Sequence, residues 1–141
     1  MRAKRGRSGR AAALLMALAV TGCAESPACL LPSQKPMLVA QLFFGRDVPN
    51  RAPVSDAEWS AFAALVIARQ FPAGFTVHDG EGEWFDPQTK ITSREATKIV
   101  LVAADPSGDL GGRLAAVMDA YRRRFDQKSV GLVTRTECAA F

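Results

Sequence analysis

A chain of 141 residues with 48% hydrophobic and 23% charged side chains is enough for one globular domain, which excludes disordered, collagen-like and fibrous classes. The net charge of +4 is unevenly placed, because Arg2, Lys4, Arg5, Arg7 and Arg10 all fall within residues 1–22, which contain no Asp or Glu. Without that segment 13 basic residues face 14 acidic ones, so the body of the chain lacks the basic footprint that a nucleic-acid partner requires.

The first ten residues are strongly basic, and Ala11 to Val20 (AAALLMALAV) is an uncharged apolar run. That run has the length of a signal-peptide core and falls short of the roughly 20 residues that span a bilayer. It leads into Val20-Thr21-Gly22-Cys23, which resembles the lipobox of bacterial lipoproteins. The resemblance implies a signal peptide over 1–22, cleavage before Cys23, and acyl chains on that cysteine. The membrane would then be a partner through the anchor alone. Ala24, where an Asp would retain such a protein at the inner membrane, implies the outer membrane, with the domain facing the periplasm. The plainer alternative is a secreted protein in which Cys23 is incidental.

In an oxidising compartment Cys29 and Cys138 read as a disulfide pair, with two separate free thiols as the alternative. Neither shows CxxC spacing or stands near His78, the one histidine, so the sequence offers no metal site.

Residues 23–36, with Pro27, Pro32 and Pro36, read as a tether, and 37–141 as a single domain. Met37 to Phe44 (MLVAQLFF) is apolar on both alternating faces and ends at Gly45, the pattern of a doubly covered strand. Ser55-Asp56-Ala57-Glu58 is a capping box, flanked by Val54 and Trp59 as a hydrophobic staple, and Trp59, Phe62, Ala63 and Val66 recur at helical spacing. Phe71-Pro72 stops that helix. Phe75 to His78 alternates as a strand, Asp79-Gly80-Glu81-Gly82 reads as a turn, and Glu83 to Phe85 as the returning arm of a hairpin. Ala96 to Ala104 (ATKIVLVAA) is a second buried strand. Asp105-Pro106-Ser107-Gly108 opens a second helix, whose apolar stripe is Leu110, Leu114, Val117, Tyr121 and Phe125. Ser129 to Thr134 supplies the last strand. The order β-α-β-β-α-β predicts an α+β, ferredoxin-like fold: a four-stranded antiparallel sheet with two helices on one face. The uncovered apolar face points to a homodimer.

LFFGR at 42–46, VSDAEWSAF at 54–62, FPAGFTVHDGEGEWFDP at 71–87, SREATKIVLV at 93–102 and AYRRRFDQKSV at 120–130 occur in this order. Together they are similar to the bacterial envelope family called domain of unknown function 3574, over about residues 37–135. The resemblance implies an exported or lipid-anchored protein and carries no activity, substrate or catalytic residue.

His78, Trp84, Arg94 and Glu95 are the candidate ligand-binding residues. A hairpin brings the last two toward Trp84, a histidine such as His78 is the side-chain type suited to acid or base work, and Arg94 suits a carboxylate or phosphate. The plainer reading makes His78 a surface strand residue, Arg94 and Glu95 a hairpin charge pair, and Trp84 a hairpin-end packing residue. Arg122-Arg123-Arg124 point about 100° apart on a helix and form no common patch. Gly111-Gly112 lacks phosphate-cradling spacing, and there is no GxSxG or HExxH, so no catalytic residue, metal or cofactor is read. The sequence favours a non-catalytic envelope lipoprotein acting as a structural or interaction module. The alternative is a periplasmic small-molecule binder or enzyme using the polar corner around His78, Arg94 and Glu95. Cys23→Ser is expected to accumulate unprocessed precursor, and intact-mass spectrometry of the native chain to show a start at Cys23 with added acyl mass; an unmodified downstream start would refute the lipobox reading.

Overall fold

The computed structural model describes residues 28–106 and 108–141; Cys23 and the leader lie outside them. Strands β1 (Lys35–Gly45), β2 (Thr76–Asp86), β3 (Ile91–Ala104) and β4 (Gly131–Ala139) form one antiparallel sheet in the order β2-β3-β1-β4. Helix α1 begins at Asp56–Phe62, passes through a π-helical turn at Ala63–Ile67 and ends with Ala68–Gln70; α2 is Leu110–Phe125. This is the expected ferredoxin-like α+β arrangement. Among the described residues no helix is long and apolar enough to cross a membrane.

Alternation assigns the two sheet faces. Ala40, Leu42 and Phe44 of β1, with Val100 and Val102 of β3, pack beneath Trp59, Phe62 and Ile67 of α1 and beneath the whole predicted stripe of α2. At the centre, Tyr121 meets Phe44 at 4.8 Å, Phe62 at 5.1 Å and Phe125 at 4.8 Å between ring centroids, all tilted or edge-on as the ring quadrupoles favour. The Tyr121 hydroxyl donates to the Gly45 carbonyl at 2.8 Å, and burial pushes its pKa well up.

The capping box forms as expected: Glu58 N–H donates to Ser55 Oγ at 3.2 Å, and Ser55 N–H donates to the Glu58 carboxylate at 2.8 Å. The Ser55 backbone donor, together with Arg51, holds the Glu58 pKa down to about 2. The π turn then rephases the helix, so that Ile67 is fully buried and Val66 only partly so. A strict 3.6 period places Val66 inward; one extra residue in the turn moves the inward position along by one. The N-cap of α2 is Asp109, whose carboxylate accepts from Gly112 N–H, so this helix starts later than the Asp105–Gly108 signal suggests.

Two sequence expectations are corrected. Asp79-Gly80-Glu81-Gly82 is not a turn: these residues pair with Lys98, Thr97, Ala96 and Glu95 inside a continuous β2. The reversal lies at Asp86 to Lys90, where Asp86 Oδ1 accepts from Gln88 N–H at 2.8 Å and Lys90 adopts φ 62°. Glycine is compatible with a turn and with a strand alike; the Asx bond of Asp86 and the long partner strand decide between them. The last strand runs Gly131–Ala139, not Ser129 to Thr134, because an exposed edge needs no apolar run and β4 follows β1 along its whole length.

The Cys29–Cys138 disulfide is formed, with 5.5 Å between Cα atoms, where Cys138 lies in β4 opposite Pro36. Tyr121→Phe is expected to lower stability by about 1–2 kcal/mol by leaving the Gly45 carbonyl unpaired. A lowered denaturant midpoint at unchanged slope checks this; an unchanged midpoint would mean that carbonyl finds another donor.

Candidate functional site

Opposite the helices no described element covers the sheet, and at the Gly45 end it sinks into a depression of about 440 Å³. Its depth comes from glycine. A Cβ at Gly45 would stand 2.3 Å from Glu95 Oε1, and one at Gly80 would stand 2.9 Å from the end of the Ile99 side chain. Glu95 therefore lies directly over the β1 backbone. Gly131 likewise lets the Phe43 ring settle onto β4, 3.3 Å from where a Cβ would be.

Phe43, Gly45 and Thr97 form the floor, Trp84 of β2 stands on one side, and the loop from Asp126 to Ser129 on the other. Glu95 is gripped from behind: Asp47 N–H donates to its Oε1 at 2.9 Å, and the Asp47 carbonyl accepts from the Gln127 side-chain amide. The turn after α2 that delivers Gln127 depends on Asp126 at φ 51°, with Gln127 N–H donating to the Arg122 carbonyl. Among the described residues, no cation lies within ion-pairing distance of the Glu95 carboxylate. Trp84 remains 55% exposed, whereas Trp59, the other tryptophan, is in the core. The combination is an aromatic face and an unneutralised carboxylate across a shallow floor, an arrangement that attracts a flat ring bearing a cationic group.

The four candidate residues do not gather at one point. Trp84 and Glu95 share the depression. His78 is on the same face but opposite Ile99 of β3, five residues back along β2 from the Glu83–Arg94 pair. Arg94 faces the other side of the sheet, where its Nε binds Glu83 at 2.8 Å. A corner made of His78, Arg94 and Glu95 is thus not assembled, since consecutive strand residues point to opposite faces.

Sequence reasoning missed Lys98. It is the one charged side chain among the described residues that is buried, and its ammonium binds Asp56 at 3.2 Å and Asp79. Asp79, and then Asp56, raise its pKa above the usual lysine value, against the cost of burial. Lys98 in turn, with Arg46, holds Asp56 below the usual carboxylate range. Arg46 Nε also donates to the Val54 carbonyl at 2.6 Å, so this cluster ties the 46–54 loop to the start of α1. The signal was available in the alternation of Lys98, Val100 and Val102 on one face. Gln127 was read only as a turn residue; its long-range bond to Asp47 has no local signature. Among the described residues no cluster of metal-ligating side chains is present.

The family described as "Protein of unknown function (DUF3574)" matches residues 39–141, and the chain belongs to it. All but one of the strings that carry the resemblance contribute to the depression: Phe43 and Gly45, then Trp84, then Glu95 and Thr97, then Asp126 to Ser129. No curated protein matches the chain. Among solved structures it is similar to a phage SAM lyase in complex with S-methyl-5'-thioadenosine, at TM-score 0.55 and 14% identity over 74% of this chain and 90% of that one. A phage SAM lyase in the apo state is similar at TM-score 0.54 and 15% identity, over 82% and 97%. At such identity the likeness is one of fold.

Proposed function

We propose that the chain is a bacterial envelope lipoprotein, anchored through Cys23, whose domain is a binding module for a small molecule with a flat ring and a cationic group. The observation that carries this reading is the Trp84–Glu95 depression, whose lining combines an exposed indole with a carboxylate that forms no ion pair among the described residues. Its lining offers Thr97, Ser129, Lys128 and Glu95 but no hydroxyl placed against a histidine base, so the set favours binding over turnover. The phage SAM lyases of the same fold, one holding S-methyl-5'-thioadenosine, support a nucleoside as the first probe.

The full chain in detergent is titrated calorimetrically with S-methyl-5'-thioadenosine, a neutral thioether, and with SAM, its sulfonium counterpart. SAM is expected to bind more tightly. Trp84→Ala should weaken both by about tenfold or more, from the roughly 1–3 kcal/mol of ring stacking. Glu95→Gln should abolish the preference for SAM. Binding that is indifferent to both substitutions would move the site elsewhere, and absence of binding by either probe would remove this ligand class.

Self-association is a second reading, favoured by Phe43, Ile99, Leu101 and Val133 on the face that the helices leave open. Light scattering is then expected to give a dimer whose mass falls to that of a monomer on Val133→Lys. A monomer at tens of micromolar would refute it.

A further inference from the structure

We infer that the end of the domain remote from the Trp84–Glu95 depression is a docking surface for the lipid bilayer itself, an inference that rests on the lipid attachment proposed for Cys23. Both ends of the described residues lie there, joined by the Cys29–Cys138 disulfide, and both carry exposed apolar side chains: Leu30 is 89%, Leu31 52% and Phe141 99% exposed. Beside them, Met37, Phe75, Leu101 and Ala139 border an open apolar hollow of about 540 Å³ that Phe141 also lines. Large apolar side chains gathered in one exposed region mark an interaction surface.

The length of chain outside the described residues selects the partner. The Cys29–Cys138 disulfide and the bond from the Gln34 amide to the Cys138 carbonyl at 3.4 Å hold residues 29–34 against the end of β4. The length of chain between the proposed anchor and the crosslink is therefore only that from Cys23 to Cys29. At about 3.3–3.6 Å per residue it reaches at most roughly 20 Å. Without the crosslink the tether would extend to Lys35 and double its reach. A domain held so short, with Leu30 and Leu31 immediately after the crosslinked cysteine, presents this end to the bilayer and no other.

The charges at this end do not oppose the approach. Lys35 binds Asp105 at 3.3 Å and Arg135 binds Glu137 at 2.9 Å, so these two cations each have a carboxylate beside them, while Arg113 lies over the Phe71 ring and donates to the Gln70 carbonyl. Leu and Phe side chains then enter the boundary between headgroups and acyl chains, as the apolar faces of interfacial segments do. The consequence is an orientation. β1, at about 3.3 Å per residue, carries the depression roughly 35 Å from the membrane, open to the periplasmic side.

The test uses the full, processed and lipidated chain in phosphatidylethanolamine–phosphatidylglycerol vesicles, with part of the lipid brominated near the headgroup end of its acyl chains. Bromine quenches only tryptophan that enters the bilayer. Phe141→Trp and Leu30→Trp are the reporters, both at positions too exposed to disturb packing. Trp59, in the core, and Trp84, at the far end, are internal controls. In vesicles that carry the floating protein, each reporter variant is expected to lose emission that the native chain keeps. Flotation without loss from either reporter would overturn the docking surface while leaving the anchor intact. Failure to float would overturn the anchor and the docking with it.

Discussion

The bond from the Tyr121 hydroxyl to the Gly45 carbonyl is the contact on which the rest of the architecture turns. It joins α2 to the end of β1 at the point where the chain leaves the sheet, in the middle of a ring cluster that also holds Phe44, Trp59, Phe62 and Phe125. Ring edges meet ring faces there, so the helices have few alternative ways to sit on the sheet. A wrong rotation of α2 would bury a hydroxyl without a partner, a larger penalty than the loss of one apolar contact. Because Gly45 is held from the helix side, its other face is left for Glu95 to cover. The core and the depression are therefore two sides of one residue.

On the helix side the same end of the sheet is closed by charge. Lys98 reaches out between Asp56 and Asp79, and Arg46 shares Asp56 while capping the Val54 carbonyl. The lysine needs these partners because its stem is enclosed by apolar neighbours. The two carboxylates remain largely exposed, so the cluster is best understood as a closure over the core rim. On the open side the charge is arranged differently. Glu95 has a backbone donor behind it and forms no ion pair among the described residues, which distinguishes it from Glu83, taken by Arg94, and from Glu58, taken by Ser55 and Arg51. The contrast is one of satisfaction: the Lys98 side is closed by its own ion pairs, and the Glu95 carboxylate is held by a backbone donor alone.

How much of this was legible in the sequence varies with the range of the interaction. The capping box, both helices, the apolar stripe of α2 and the ferredoxin-like order all follow from local patterns, because caps and periodicity act within a few residues. The pairing of Cys29 with Cys138 was open to inference too, since the topology sets the start of β1 beside the end of β4. The π turn, the true hairpin reversal at Asp86 and the length of β4 were not. Each depends on what a neighbouring strand or helix demands, and Gly80 and Gly82 accept either a turn or a strand until β3 is laid alongside.

The sequence by itself determined a basic N-terminal stretch that resembles a lipoprotein signal, a family, an α+β chain order, and a list of polar residues worth watching. Only the tertiary structure decided how that list divides. Trp84 and Glu95 stay together while Arg94 goes to the opposite face, because alternation in a strand converts a one-residue difference into a change of side. Gln127 joins the site from 80 residues away through the Asp47 carbonyl, and Lys98 withdraws from an apparently apolar run into a cluster of charges. Such assignments depend on register and on backbone groups, and neither is written in the identity of any single residue.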